Sequence, residues 1–323
     1  MRAMLSLRPV LLAVCLTGLT ASAFAKTLPE VQAMVESKAS GSLAAAEALT
    51  KATPNDANAW VLLARARVQA NQAEKAIVAA EKATALAPKN AQAFYWLGNA
   101  YGSRIGEVGM LSKMTMAPKL RDAFEQAVTL DPALVDARSS LIEFYLQAPG
   151  AMGGGIDKAR AQATAIAKYD RAKALMAQAR IAMHEKKPAE AIKAYEAAYA
   201  LKPNDTQLKI ALIVGYQKAN RWKDAYALTK QWTVDAPKQA KPWYQLGRLA
   251  AESGQYLAEG EAALRTYLKL GRETGDPEPK HARYRLGQIL AKAGRKDEAR
   301  AELQAALKTD PKFAEAKAAL AAL

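Results

Sequence analysis

The sequence predicts an all-α protein built from helix-turn-helix pairs that repeat along the chain. Proline recurs at a fixed interval, since 34 residues separate Pro54 from Pro88 and 34 separate Pro203 from Pro237. Internal periods of this size indicate a solenoid, in which each unit packs only on its neighbours. The composition agrees, because 51% of the residues are apolar and 24% are charged, as expected of packed helices. Such a fold usually provides a binding surface rather than a reactive centre.

Residues 1–25 have the features of a secretory signal peptide. Two arginines precede a short apolar run at residues 9–20, and the small residues Ala23 and Ala25 suit cleavage before Lys26. The apolar run is too short for a comfortable membrane span. We therefore expect these residues to be removed on export.

The single cysteine, Cys15, lies inside this apolar run. A lipid anchor would need small residues just ahead of it, and Val14 fits that requirement badly. The exported chain would then contain no cysteine, which excludes disulfides, thiol catalysis and cysteine-bound metals. We predict a periplasmic protein with no membrane span after signal cleavage. Lipid anchoring and secretion are the alternatives.

The pattern inside one unit returns in the same register elsewhere. Trp60, Leu63 and Ala64 mark a first helix by their spacing, and Ala76 begins the apolar face of a second helix that ends before Pro88. Small residues let the two helices approach closely, whereas the tryptophan fills the gap between repeats. Further copies read Leu212, Tyr216, Trp222, Ala225, Trp232 and Pro237, then Trp243, Leu246, Gly247 and Tyr256, and finally Leu286, Gly287, Leu290, Gly294, Ala299, Leu303, Ala306 and Pro311.

This register resembles that of the tetratricopeptide repeat family, whose pattern is tryptophan, leucine-glycine, tyrosine, then alanine, phenylalanine and proline. The resemblance covers residues 26–323 and implies a right-handed superhelical solenoid of about eight repeats, with the first helix of each on the concave wall. We place the repeats near 26–56, 57–90, 91–134, 135–171, 172–205, 206–239, 240–279 and 280–313, and a capping helix at 314–323. Gln178 and Ala179 depart from the pattern in the unit at 172–205.

Two insertions interrupt the repeats, and both are expected in the turn that joins the two helices of a unit. They fall within 102–116 and 147–155, in adjacent repeats, so they should be neighbours at one edge. Glycine allows close approach of a ligand and methionine gives an adaptable apolar surface. We predict a ligand- or partner-binding loop lip formed by Gly106, Gly109, Met110, Met114, Met116, Pro149, Gly150, Met152, Gly153 and Gly154. The alternative is a tolerated insertion that only covers the flank.

Two positions on each first helix share one face at i, i+4 spacing. They and adjacent positions predict a partner-binding groove of Arg65, Tyr95, Asn99, Lys173, Arg180, Lys241, Tyr244, Arg248, Tyr284, Arg285 and Gln288. Aromatic residues and arginine are enriched in binding hot spots, and arginine grips carboxylates with two hydrogen bonds. A protein or peptide partner is expected, and the arginines suit an acidic one. The alternative is that Tyr244 and Tyr284 pack inside the stack and the arginines are merely solvated.

The chain is basic, with a formal net charge of +15, and most of the excess lies in its C-terminal half. Positive charge steers association with anionic molecules whatever their class. Behind an export signal the expected partners are acidic proteins or anionic envelope polymers, not nucleic acid. The alternative is a solvated lysine-rich surface that maintains solubility.

Catalytic groups are sparse. The only histidines, His184 and His281, fall in separate repeats, whereas a serine-histidine-carboxylate site needs hydrogen-bond contact between its members. No metal or phosphate motif is present, so we expect no cofactor and no enzyme. The leading hypothesis is a periplasmic scaffold or adaptor in cell-envelope assembly. The alternatives are a chaperone-like carrier of exported polypeptides, and a small-ligand binder or unrecognised enzyme that uses the two loops. The sequence does not indicate an oligomeric state.

Overall fold

The computed structural model describes residues 26–273 and 275–323, so the predicted signal peptide and Cys15 lie outside the described residues. Within these ranges the chain forms 17 α-helices and one 3-10 helix. The α-helices are α1 Leu28–Glu36, α2 Ser42–Ala52, α3 Ala57–Gln69, α4 Ala73–Leu86, α5 Ala91–Ile105, α6 Met110–Leu130, α7 Val135–Gln147, α8 Ile156–Ile166, α9 Arg171–His184, α10 Pro188–Leu201, α11 Thr206–Lys218, α12 Trp222–Asp235, α13 Ala240–Ser253, α14 Leu257–Leu270, α15 Pro279–Lys292, α16 Lys296–Thr309 and α17 Ala314–Ala321.

The odd-numbered helices from α1 to α15 are the first members of the pairs, and each packs against the even-numbered helix that follows it. Each even-numbered helix also packs on the next odd-numbered one, which makes the stack continuous. Several neighbouring first helices touch one another, among them α3 with α5 and α13 with α15. Second helices of adjacent repeats show no comparable packing in the described part of the chain. First helices therefore crowd the inner side of the curve, and the predicted α solenoid is confirmed.

Glycine in the leucine-glycine position allows the two helices of a pair to touch. A Cβ on Gly98 would lie 2.5 Å from the Phe124 ring, and one on Gly287 would lie 2.7 Å from Leu303. Both facing side chains are buried, with 4% and 1% of their surface exposed. Because a packed interior resists added volume, these glycines set the separation of the paired helices.

The recurring tryptophan and proline are linked by a hydrogen bond. The indole N–H of Trp60 donates to the carbonyl of Pro54 at 2.8 Å, and that of Trp243 donates to the carbonyl of Pro237 at 2.9 Å. Arg138 replaces the tryptophan in α7, and its Nε donates to the carbonyl six residues earlier at 2.9 Å. In these three repeats the contact satisfies a backbone carbonyl that precedes the first helix.

The first insertion is mainly helical, which corrects the expected long loop. Helix α5 continues to Ile105 and α6 begins at Met110, so only four residues connect them. Helix α6 has 21 residues, against 14 in α4; the seven additional residues extend it by about 10 Å. Pro118 lies inside α6. Since proline cannot donate the backbone hydrogen bond that continues a helix, it separates the inserted turns from the part of α6 that follows the repeat pattern.

The second insertion forms a compact turn around a 3-10 helix, Gly150–Met152, which packs against α6. Gly153 has a φ of +92°, and a Cβ there would meet the Arg121 guanidinium at 2.5 Å. The carbonyl of Gly153 accepts a hydrogen bond from Lys158 at 3.0 Å. The glycines thus serve a tight turn, and the two inserted segments lie side by side.

Candidate functional site

An apolar cleft opens between the first helices α5 and α7, with α6 along one side. Its volume is about 800 Å³. The apolar walls include Ile105, Met110, Leu120, Phe124, Phe144 and Met152, and Asn99 and Lys113 contribute polar groups. We call this space the apolar cleft. Three predicted lip residues, Met110, Pro149 and Met152, and one predicted groove residue, Asn99, therefore border the same space.

A second cleft of about 740 Å³ follows along the same wall, between α7, α9 and α11. Its lining is mixed, with Met176 and Ile210 beside Arg180 and His184. We call it the mixed cleft. Glu143 and Gln147 border both spaces, so the two clefts form one groove that runs along the first helices from α5 to α11.

Every arginine and lysine predicted for the groove has a carboxylate partner. The pairs are Arg65 with Glu36 at 3.5 Å, Lys173 with Asp136 at 2.9 Å, Arg180 with Glu143 at 2.7 Å, Lys241 with Asp276 at 3.3 Å, Arg248 with Glu252 at 3.1 Å and Arg285 with Glu252 at 3.2 Å. Opposite charges at these distances largely cancel at longer range. Because these six cations are paired, the groove is less positive than the sequence alone indicates.

In the C-terminal half these side chains form a network across three repeats. Arg248 donates hydrogen bonds to Gln217 on α11 at 3.1 Å and to Glu252 on its own helix. Arg285, on α15, pairs with the same Glu252 and donates to Gln288 at 3.1 Å. Two guanidinium groups thus share one carboxylate, which leaves a single net positive charge in the network.

The predicted groove tyrosines of this half belong partly to the stack. Tyr244 is only 7% exposed and its ring lies 5.2 Å from that of Tyr267; burial raises the pKa of Tyr244. Tyr284 is half-buried, with its ring 5.4 Å from Phe313 and its hydroxyl accepting a hydrogen bond from Gln288 at 2.8 Å. Tyr244 therefore offers little surface to a partner, and Tyr284 offers one edge.

The N-terminal groove residues are also held by neighbours. Tyr95 contacts Trp96 edge-on at 5.3 Å and Phe124 at 6.0 Å, and burial raises its pKa. The Asn99 amide donates to the Tyr95 carbonyl at 2.8 Å. The Arg65 guanidinium lies 5.3 Å from the centre of the Trp96 ring. These contacts fix the wall beside the apolar cleft.

The predicted lip residues differ in exposure. Met110 and Met114 are 73% and 54% exposed, and the neighbouring Leu111 is 82% exposed. Met116, Pro149 and Met152 are at least partly exposed, and Gly150 lies at the surface of the second turn. Gly106 and Gly109 bound the short connection between α5 and α6, while Gly153 and Gly154 complete the tight turn described above. The inserted turns of α6 thus carry the exposed apolar surface.

The two histidines occupy different surroundings. His184 borders the mixed cleft, whereas His281 lies edge-on to Phe313 at 5.1 Å on another repeat. Among residues 26–273 and 275–323, no group of three or more potential metal ligands lies together. No helix in the same ranges has the length and apolar character needed to cross a membrane.

The predicted groove left out the carboxylates that pair with its cations. Asp136 and Lys173 are 37 residues apart, as are Glu143 and Arg180. This separation is close to one repeat, so a search for opposite charges one repeat apart would have found them. No such sequence pattern identifies Lys113 and Phe144, because their exposure to the cleft depends on how the inserted turns of α6 pack.

Comparisons with known proteins agree with this architecture. Family models described as tetratricopeptide repeat match residues 153–206 and 244–314, residues 182–250, and residues 57–90. No curated protein matches the chain in sequence.

Among solved structures, a thermophilic TPR protein of Thermus thermophilus is similar at 17% identity with a TM-score of 0.50, over 59% of this chain and 95% of the other. A tetratricopeptide repeat protein from Parabacteroides merdae ATCC 43184 has 10% identity and a TM-score of 0.50, over 91% and 95%. A chain of the APC/C hetero-tetramer Cut9–Hcn1 has 17% identity and a TM-score of 0.49, over 87% of this chain. The present chain spans about half, 52%, of that one. At these identities the likeness concerns the fold alone.

The matched family models together cover more than half of the chain. The match agrees with three features of the structure: the stacked helix pairs, the glycines between packed helices, and the tryptophan–proline hydrogen bonds. The chain belongs to the tetratricopeptide repeat family.

Proposed function

We propose that this protein is a scaffold that binds a peptide or protein partner along its concave wall. The observation that carries the proposal is the continuous groove formed by the apolar and mixed clefts, which Glu143 and Gln147 join. A groove of this length, with apolar and hydrogen-bonding groups side by side, suits an extended chain segment better than a compact metabolite.

We further propose that the scaffold works in the periplasm, in assembly of the cell envelope, after removal of residues 1–25. Two arginines, a short apolar run and Ala23 and Ala25 before Lys26 support this location. N-terminal sequencing of the protein from a periplasmic fraction tests it, and the expected first residue is Lys26. A product that keeps residues 1–25 and stays in the cytoplasm would contradict export.

Photo-crosslinking tests the groove itself. A photoreactive amino acid at Val214, which borders the mixed cleft, is expected to capture a small set of discrete proteins in intact cells. The same residue at Val78, an exposed position on the second helix α4, is the control and should capture none of them. Identical products from both positions would refute groove binding, and a broad smear from Val214 would favour the carrier of exported polypeptides.

A further inference from the structure

We propose that the apolar cleft binds an apolar anchor of the partner peptide, and that Lys113 pairs with an acidic residue next to that anchor. The inference rests on the proposed function, because it assumes a peptide in the groove. It adds the chemical class of that peptide: an acidic segment with one or two large apolar side chains.

The shape of α6 supports the apolar part. Met110, Ala117, Leu120 and Phe124 face the cleft, at spacings of three, four and seven residues that place them on one side of a helix. Gly102 on α5 adds no side chain to the opposite wall. The cleft therefore has room for side chains that this chain does not supply.

Further exposed apolar side chains lie on α6 next to Met110, which lines the cleft. Met110, Leu111 and Met114 are 73%, 82% and 54% exposed within little more than one helical turn. Exposed apolar side chains are ordinary when scattered, but a cluster beside a cleft indicates a binding surface. Methionine is suited to this role because its flexible side chain adapts to different apolar partners.

Lys113 supports the acidic part. It borders the cleft, and within residues 26–273 and 275–323 it has no ion pair and no side-chain hydrogen bond. The six cations predicted for the groove all have carboxylate partners. Lys113 is therefore a concave-side cation whose charge remains available to a ligand, and the complementary group is a carboxylate.

The apolar cleft continues into the mixed cleft, and this arrangement suits a peptide better than a lone fatty acyl chain. Beyond Glu143 and Gln147 the lining gains Arg180 and His184, so the occupant must change from apolar to polar within a few residues. An extended peptide advances about 3.5 Å per residue and can alternate both kinds of group. An acyl chain would match only the first of the two clefts.

Binding of short fluorescein-labelled peptides to the purified protein, followed by fluorescence anisotropy, tests the inference. The first peptide carries Leu-Phe beside two aspartates. In matched peptides serine replaces Leu-Phe, or asparagine or lysine replaces both aspartates. The first peptide should bind best, and the serine peptide about tenfold more weakly or worse, as expected for loss of a hot-spot anchor.

Variants of the cleft connect that preference to named residues. Met110→Gln combined with Met152→Gln should weaken the first peptide about tenfold. Lys113→Glu should weaken it up to about fivefold and strengthen the lysine peptide, as expected for one partly exposed ion pair. Val78→Gln and Lys193→Glu, at exposed positions on second helices, are the matched controls and should change neither affinity.

Each other outcome counts against the inference. If the first peptide binds but only Arg180→Ala changes its affinity, the inference fails while the proposed groove function stands. If neither the cleft variants nor Arg180→Ala changes the affinity of the first peptide, the inference and the proposed groove function both fail. If no peptide binds, or if labelled dodecanoate binds the cleft and no peptide competes with it, the acidic-peptide assignment is wrong.

Discussion

At the scale of single residues, tyrosine–glutamate hydrogen bonds connect successive repeats. Tyr101 donates to Glu81 at 3.1 Å and Tyr216 donates to Glu196 at 2.8 Å, each across 20 residues. Tyr145 makes the equivalent bond to a glutamate of the preceding repeat at 2.7 Å. The donor lies on a first helix and the acceptor on the preceding second helix, so the bond ties neighbouring units together. A hydrogen bond to a charged acceptor is stronger than a neutral one.

The double variant Tyr101→Phe/Tyr216→Phe should reveal these bonds through the pH dependence of stability. Burial and the glutamate bonds raise the pKa of Tyr101 and Tyr216 to about 12, against about 10 in an unfolded chain. Their contribution is present below pH about 10 and is lost as the pH rises to about 12. The variant should be less stable by about 1 kcal/mol per bond at pH 8.

Urea unfolding at pH 8, 10 and 11, followed by circular dichroism, measures this effect. The difference between wild type and variant should shrink as the pH rises. Tyr169→Phe is the control, because Tyr169 is 49% exposed. A difference that is constant over this range would exclude the proposed role of the two hydroxyls.

Glu252→Gln tests the shared carboxylate of the C-terminal network. The change leaves Arg248 and Arg285 without their common partner, so the affinity for a labelled poly-glutamate probe should rise about two- to fivefold at low salt. The cost in stability should stay below about 1 kcal/mol, as for exposed ion pairs. Glu190→Gln on α10, an exposed position, is the control. A gain that persists at 1 M salt would contradict an electrostatic cause.

At the scale of the element, glycines determine how closely neighbouring helices pack. Gly98 and Gly287 face Phe124 and Leu303 within their pairs, and Gly215 faces Tyr195 of the preceding repeat; an added Cβ would lie 2.5–2.8 Å from these side chains. The exception to the regular pair is α6, whose 21 residues extend beyond the pattern and create one side of the apolar cleft. A longer second helix thus changes the binding surface while the stack remains intact.

Gly287→Val should destabilise the protein by about 1–3 kcal/mol, because overpacking forces the helices apart. Leu303 is 1% exposed, so it is enclosed by packed neighbours. Gly150→Ala is the control, since nothing lies within 4 Å of its Cβ position, and it should change stability by less than about 0.5 kcal/mol. Chemical unfolding of both variants provides the measurement. Equal stability would show that the paired helices can separate without cost.

At the scale of the whole molecule, stability is spread along the row of repeats. Each repeat contacts only its neighbours, so the ends depend on a cover. Helix α17 provides that cover at one end: it packs on α16 and α15, and Phe313 just before it is 7% exposed. The stack should therefore lose order from its ends inward.

Deletion of residues 314–323 should expose the apolar face of α15 and α16. Native-state hydrogen exchange is expected to quicken about tenfold or more in these two helices, with little change in α3 and α4, because disruption spreads only through neighbouring contacts. Lys317→Ala, on the exposed side of α17, is the control. Equal acceleration throughout the chain would indicate a single cooperative unit instead.

The sequence predicted the helices and their pairing because both depend on local spacing. Pro54 and Pro88 lie just outside the two helices of one repeat and Trp60 lies within its first helix. The structure connects Trp60 to Pro54 by a hydrogen bond over only six residues. The candidate site was predicted less completely. Met110 and Asn99 border the apolar cleft. The insertion was expected to be a loop, but its glycines Gly106 and Gly109 bound a connection of only four residues and the chain is helical from Met110 onward.

The repeat period, the all-α architecture and the helix-spacing glycines follow from the sequence by itself, because each arises from contacts within a repeat or between adjacent ones in a common register. Only the tertiary structure decided which cations lack a carboxylate partner and are therefore available to an anionic ligand. Arg180 is paired with Glu143, and Arg248 and Arg285 share Glu252, whereas Lys113 has no carboxylate partner among the residues that the structure describes. Charges one repeat or one helical turn apart along the chain identify candidate pairs, but the packing of neighbouring repeats decides which side chains meet.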